Sequence, residues 1–244
     1  MIEIAFRTND ASTPWPQPPK LPEPQVKGFT QAAPWQCPPF VDGYTLGIEL
    51  RWPWNYSLTI KHREDGEVFC WRHPYGGSPG PLSPADISLF AKGHYGVNSH
   101  HQLLLPTGWD GLVLPHPSTY DSPRPSMPDI VPGVIHCDTW PACFFIVSGL
   151  PAKGKSHCFE AGQPFCRVVP VPRQEVVVRQ MTDNEKTTWS EREAFVEKHR
   201  YDIATHVWTD DKGQRFDNRY SVLPKELKRL GWGGVLAKYS RENQ

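Results

Sequence analysis

His136 and Asp138 stand one residue apart at the end of the β-rich run Gly133-Val134-Ile135, and they pair an imidazole with a carboxylate. Residues i and i+2 of a strand share a face, so both side chains can address one ion. That is the first half of the two-histidine, one-carboxylate arrangement that leaves iron(II) open positions for oxygen and a co-substrate. His94 is the leading third ligand, supplied from an earlier strand as in a cupin, because His157 follows the triplet too closely. Arg167 and Arg173 would then take a co-substrate carboxylate, which a guanidinium matches bidentately. The competing reading gives the same residues a structural part. In it, Asp138 caps a turn before Trp140-Pro141 and His136 bonds a carbonyl.

Other chemistries lack their residues. No serine stands in a G-x-S-x-G elbow. The Gly76-Gly77-Ser78-Pro79-Gly80 stretch has no lysine and too much proline for a phosphate loop. The six cysteines contain no C-x-x-C pair, which removes zinc-ribbon readings. Cys166, in an apolar run, behaves as a small hydrophobe. His100 and His101, adjacent on a strand, would face opposite sides, so one at most can join a site.

The elements that must position these residues follow from composition and rhythm. Twenty-seven prolines and ten tryptophans in 244 residues exceed ordinary usage. Proline breaks helices and shortens strands, which favours many short strands joined by turns. Strands are expected at residues 46–52, 56–62, 67–71, 102–105 and 111–114. Within residues 132–173 a β meander is expected, with runs at Val134-Ile135, residues 143–147 and residues 166–169. Residues 175–179 read as a last strand. The tryptophans mostly fill core and loop-packing positions.

Residues 12–25 form a proline-rich, polyproline-like arm expected to lie as an ordered strap on its own domain or a neighbour. Residues 74–84 and 116–132 read as long loops. Between residues 183 and 199, Trp189, Arg192, Phe195 and Val196 recur at helical spacing, with Thr182 or Asp183 as N-cap. A hairpin turn at Asp211-Lys212-Gly213 and a short helix over 224–230, closed by Gly231, complete the tail. The expected architecture is mainly β, a jelly-roll or cupin-like double sheet with a C-terminal helix; an immunoglobulin-like sandwich is the runner-up. The expected organisation is a proline-rich arm (1–38), a β domain (39–180) and a C-terminal helical or irregular extension (181–244).

Twenty-six basic and 26 acidic residues balance, which gives no electrostatic case for nucleic acid or an anionic membrane. The start MIEIAFRTND has no signal-peptide pattern and no stretch reaches membrane-spanning length. A cytoplasmic protein, or a virion protein if phage-encoded, with free thiols is therefore expected.

The segment Gly162-Gln163-Pro164-Phe165-Cys166, followed by an apolar run and Pro170 to Arg173, resembles an uncharacterised family of bacteria and phages with a similar segment late in a β domain. Gly133-Val134-Ile135 and Asp138-Thr139-Trp140 are similar to that family's Gly-Val-Val and Asp-Trp elements, and Gly93-His94-Tyr95-Gly96 to its His-aromatic-Gly element. The family more often carries an acid where His136 stands. Being a domain of unknown function, it implies the extent of the domain and no catalytic residue.

Two functions follow as expectations. The first is a non-catalytic binding or assembly module, phage structural proteins among the candidates, meeting a protein partner or its own copies through the proline-rich arm. The second is a jelly-roll enzyme, a non-haem Fe(II) oxygenase with His136, Asp138 and His94 as ligands.

Overall fold

In the computed structural model, residues 2–9, 11–20, 38–73, 86–89, 91–117, 128–209, 213 and 215–241 are described. The expected loop over 74–84, most of the one over 116–132 and the end of the proline arm lie outside them.

The chain is mainly β, with antiparallel sheets and helices towards its C-terminal end. Among the described residues, twelve strands precede the main helices: β1 (Ala5–Thr8), β2 (Ile48–Arg51), β3 (Ser57–His62), β4 (Val68–His73), β5 (Ile87–Leu89), β6 (His94–Asn98), β7 (His101–Leu104), β8 (Trp109–Pro115), β9 (Gly133–Ile135), β10 (Phe145–Gly149), β11 (Ser156–Phe159) and β12 (Pro164–Pro172). A short helix α1 (Pro38–Thr45) comes between β1 and β2. The sheets run in the orders β2-β12-β8-β9, β11-β3-β4, β10-β6-β5 and β1-β7.

Residues 132–173 are therefore not a meander. Their four strands are dealt out to three sheets: β9 and β12 flank β8, β10 lies on β6, and β11 lies on β3. Strands that change layer from one to the next are how a double-sheet fold closes a core between its layers.

That core takes the alternate apolar residues of the facing strands. Trp52, Leu58, Ile60, Tyr95, Val97, Phe159 and Phe165 are buried within it. The Trp52 indole lies parallel to Phe159 at 4.2 Å and meets Phe165 edge-on, while its Nε1–H donates to Tyr56 O at 2.9 Å. A buried tryptophan that also satisfies its one donor is the strongest kind of aromatic anchor.

The described part of the proline-rich arm docks on its own unit. Gln17 exchanges two backbone hydrogen bonds with Glu49 of β2, Thr13 is buried, and Pro14 O accepts from His101 Nε2 at 3.0 Å. Proline leaves few backbone donors, so the strap is pinned at isolated points and makes no sheet.

The chain divides into two units, one of Met1–Pro22 with Tyr44–Gln174 and one of Glu23–Gly43 with Glu175–Gln244. In the second, α2 (Asp183–Lys198) starts at Thr182, one of the two expected N-caps, and its side chain forms a capping box with Glu185. A one-turn helix α3 (Arg200–Ile203), a hairpin β13 (Val207–Thr209) and β14 (Arg215–Asp217), and α4 (Arg219–Arg241) follow. The expected 224–230 helix is part of α4, and Gly231, at φ 64°, interrupts it as expected. Ile203, Val235 and Tyr239 are the buried centre of this unit. Residues 175–179, expected as a strand, pair with nothing among the described residues.

Candidate functional site: a carboxylate–histidine network beside a cleft

The register of one sheet assembles the site. β8 is an inner strand, with Val171 of β12 opposite Asp110 on one side and Ile135 of β9 opposite Gly111 on the other. Continuing each ladder places His136 opposite Asp110 on one flank and, on the other, Arg173 opposite Gly108, on the same face as Val171, the partner of Asp110. Gly111 permits this close approach, since a Cβ there would come within 2.8 Å of Val168 Cγ1 and 2.9 Å of Cys137 Sγ.

The buried Asp110 carboxylate accepts from His136 Nδ1 at 3.0 Å and from Arg173 Nε at 3.1 Å, with a further contact from Arg173 Nη2. Arg173 Nη2 also donates to Asp138 Oδ1 at 2.7 Å, and Asp138 Oδ2 takes the Gly108 N–H at 2.9 Å. One guanidinium thus holds two carboxylates. Its hydrogen bonds, with that of His136, bring the Asp110 carboxyl down to about 2. Arg173 and the Gly108 N–H lower Asp138 as well, and both aspartates in return raise Arg173. Both aspartates are anions at neutral pH.

With Nδ1 donating to Asp110, the second imidazole nitrogen of neutral His136 carries the lone pair. The His136 side chain is 61% exposed. Thr139 N–H and Trp140 N–H both donate to His136 O, so the turn that carries Trp140 starts at the histidine. That turn forms one wall of a cleft of about 420 Å³, with Phe6 and Arg7 of β1, Gln102 and Leu104 of β7, Asp138 and Trp140 on its lining. Trp140 is 53% exposed.

The residues singled out from sequence are thus distributed unevenly. His136 and Asp138 enter one network, but Arg173 and Asp110 join them and no shared ion position does. His94 is outside it, its Nδ1 on Lys92 O at 3.1 Å. His157 is buried against Tyr95. Among the described residues no group of three or more His, Cys, Asp or Glu is placed to hold a metal ion. Arg173 binds the protein's own carboxylates, and buried Arg167 donates to Tyr44 O at 2.9 Å. Sequence reasoning missed Asp110; its signal was a lone acid inside the apolar strand Trp109-Asp110-Gly111-Leu112-Val113-Leu114.

No family model matches the chain, and no curated protein does. Solved structures similar in fold include the native dUTPase of EIAV, at 10% identity and TM-score 0.35, covering 75% of this chain and 98% of that one. A dUTPase mutant from phage phi11 of S. aureus matches at 11% identity and TM-score 0.38, with 74% and 97% coverage. A mutant dUTPase of Staphylococcus bacteriophage 80alpha, with dUpNHpp, matches at 10% and TM-score 0.39, with 74% and 89% coverage. The three bear the names of enzymes, where the expectation from sequence was a non-catalytic binding or assembly module. The likeness extends to fold alone, so chemistry has to be argued from this chain's residues. No helix among the described residues is long and apolar enough to cross a membrane.

Proposed function

We propose that the β-rich unit is a hydrolase whose substrate is a small flat molecule bearing an anionic group, of the nucleotide class, held in the cleft beside Trp140. The observation that carries this reading is the exposed imidazole of His136, fixed through Nδ1 by buried Asp110 of β8 and set one residue before Cys137, with which the cleft wall begins. A histidine oriented by a carboxylate is a proton acceptor of defined tautomer. Its free nitrogen takes a proton from water as the water oxygen attacks phosphorus, and the bond to the leaving phosphate breaks with its electron pair. The cleft supports the substrate class in three ways. Its volume lies in the range of small-molecule sites, Trp140 offers a face on which a base stacks, and Arg7 offers a cation to a phosphate. Arg173 and Asp138 hold the catalytic pair and the turn in register.

The test uses the full chain with a panel of nucleoside triphosphates, and dUpNHpp, which one of the similar structures contains, as non-hydrolysable probe. Binding should quench tryptophan fluorescence, and Trp140→Ala should remove the quench. His136→Ala should keep binding and lose at least about a hundredfold in turnover, the low end for a general base. Absence of any binding, or unchanged turnover in His136→Ala, refutes the reading.

A further inference from the structure

Residues 175–179 read Glu-Val-Val-Val-Arg, and all five are exposed. Val176, Val177 and Val178 are 85%, 84% and 90% exposed. Among the described residues no backbone hydrogen bond reaches this segment, although the strand before it ends only at Pro172. Three consecutive β-branched residues with free backbone donors and acceptors are a strand without its neighbour.

The order of charges names the neighbour. In an antiparallel pair of two identical strands centred on Val177, Val176 of one lies opposite Val178 of the other, and Glu175 lies opposite Arg179 at both ends. The sequence is therefore complementary to itself about a two-fold axis, the symmetry of an isologous dimer. We infer that residues 175–179 form an antiparallel strand pair with the same residues of a second copy of this chain.

The surroundings fit that occupant. The segment itself lines a groove, in which Met181 and Trp189 are the apolar neighbours of Val177 and Val178, and Arg179, Glu185 and Arg192 are the charged ones; Trp189 is 59% exposed in this groove. It gives the partner's valines an apolar seat, which a bare two-stranded ribbon lacks. Arg179 already binds Glu185 through Nη1 and Nη2 at 2.7 Å each. A guanidinium has five N–H donors, so donors remain for the partner's Glu175. Cross-strand Val pairs and opposite charges each add modestly, and so short a pair lies at the small end of interface sizes. The dimer is accordingly expected to be weak and concentration-dependent.

Sedimentation equilibrium of the full chain should show a monomer–dimer equilibrium. Glu175→Arg, which sets like charges opposite each other at both ends, should weaken dimerisation at least about tenfold, and adding Arg179→Glu should restore it in part. Val177→Cys, at the axis, should form a covalent dimer on mild oxidation, because the two thiols then face each other, whereas the wild type under the same conditions should not. All three positions are exposed, so folding is not at stake. A strictly monomeric protein, a dimer indifferent to Glu175→Arg, or a dimer that Val177→Cys fails to cross-link overturns the inference. None of these outcomes depends on enzymatic activity.

Discussion

The Tyr95 hydroxyl lies 3.0 Å from His157 Nδ1, and both side chains are buried between β6 and β11. With the ring neutral, the phenol can donate to Nδ1. Burial lowers the His157 pKa to about 4 and raises that of Tyr95. In the unfolded chain the histidine returns to about 6.5. Between these values the unfolded state binds the extra proton, so stability is complete above about pH 6.5 and falls as pH drops towards 4. Denaturant titrations across this window should show a slope of at most about 1.4 kcal/mol per pH unit from this group. His157→Gln should flatten it, and an unchanged slope would assign the acid sensitivity elsewhere.

Trp52 carries the second expectation. It is fully buried, stacked on Phe159 and edge-on to Trp54 and Phe165. Trp52→Ala should cost about 3–5 kcal/mol in urea unfolding, as large-to-small core changes do. A loss below about 1 kcal/mol would mean that the surrounding rings close the space.

The third concerns the start of α2. Thr182 Oγ1 accepts from Glu185 N–H at 3.3 Å, and the Glu185 carboxylate accepts from Thr182 N–H at 2.8 Å. Arg179, with the Thr182 bonds, brings Glu185 down to about 2. Thr182→Ala should cost about 1 kcal/mol, with hydrogen exchange rising first in the opening turn of the helix. Uniform exchange along α2 would show that the cap does not govern that end.

What could be read from the chain was local. The N-cap at Thr182 or Asp183 and the recurrence of Trp189, Phe195 and Val196 are contained within a few turns, and α2 lies where they place it. Strands β2, β3, β4, β7 and β8 announce themselves by alternation and turn residues, and they fall within a few residues of expectation. The short β5 and β6 and the polar-tipped β11 carry too few apolar residues for such a signal.

Pairing was the larger gap. Asp110, His136 and Arg173 meet because β8 sits between β9 and β12, and nothing within any of the three segments records its neighbours. The same ignorance turned four strands of three sheets into a meander. Arg173 was selected for the right property, two-pronged affinity for carboxylates, and assigned to a co-substrate because the protein's own aspartates could not be seen to lie within reach.

The place of β12 between β2 and β8 has a consequence for the order in which the chain can assemble. β2 is made early, by Arg51, and β8 by Pro115, yet neither meets the other; β8 pairs with β9 on one side, and the strand that joins it to β2 is completed only at Pro172. A nascent chain released as far as β11 holds three finished strands of its main sheet, β2 on one side and the β8–β9 pair on the other, with an empty slot between them. Closure waits on the last β segment before the helices, so this fold is dominated by the long-range contacts that make folding slow. The keystone of the sheet is also the last piece delivered.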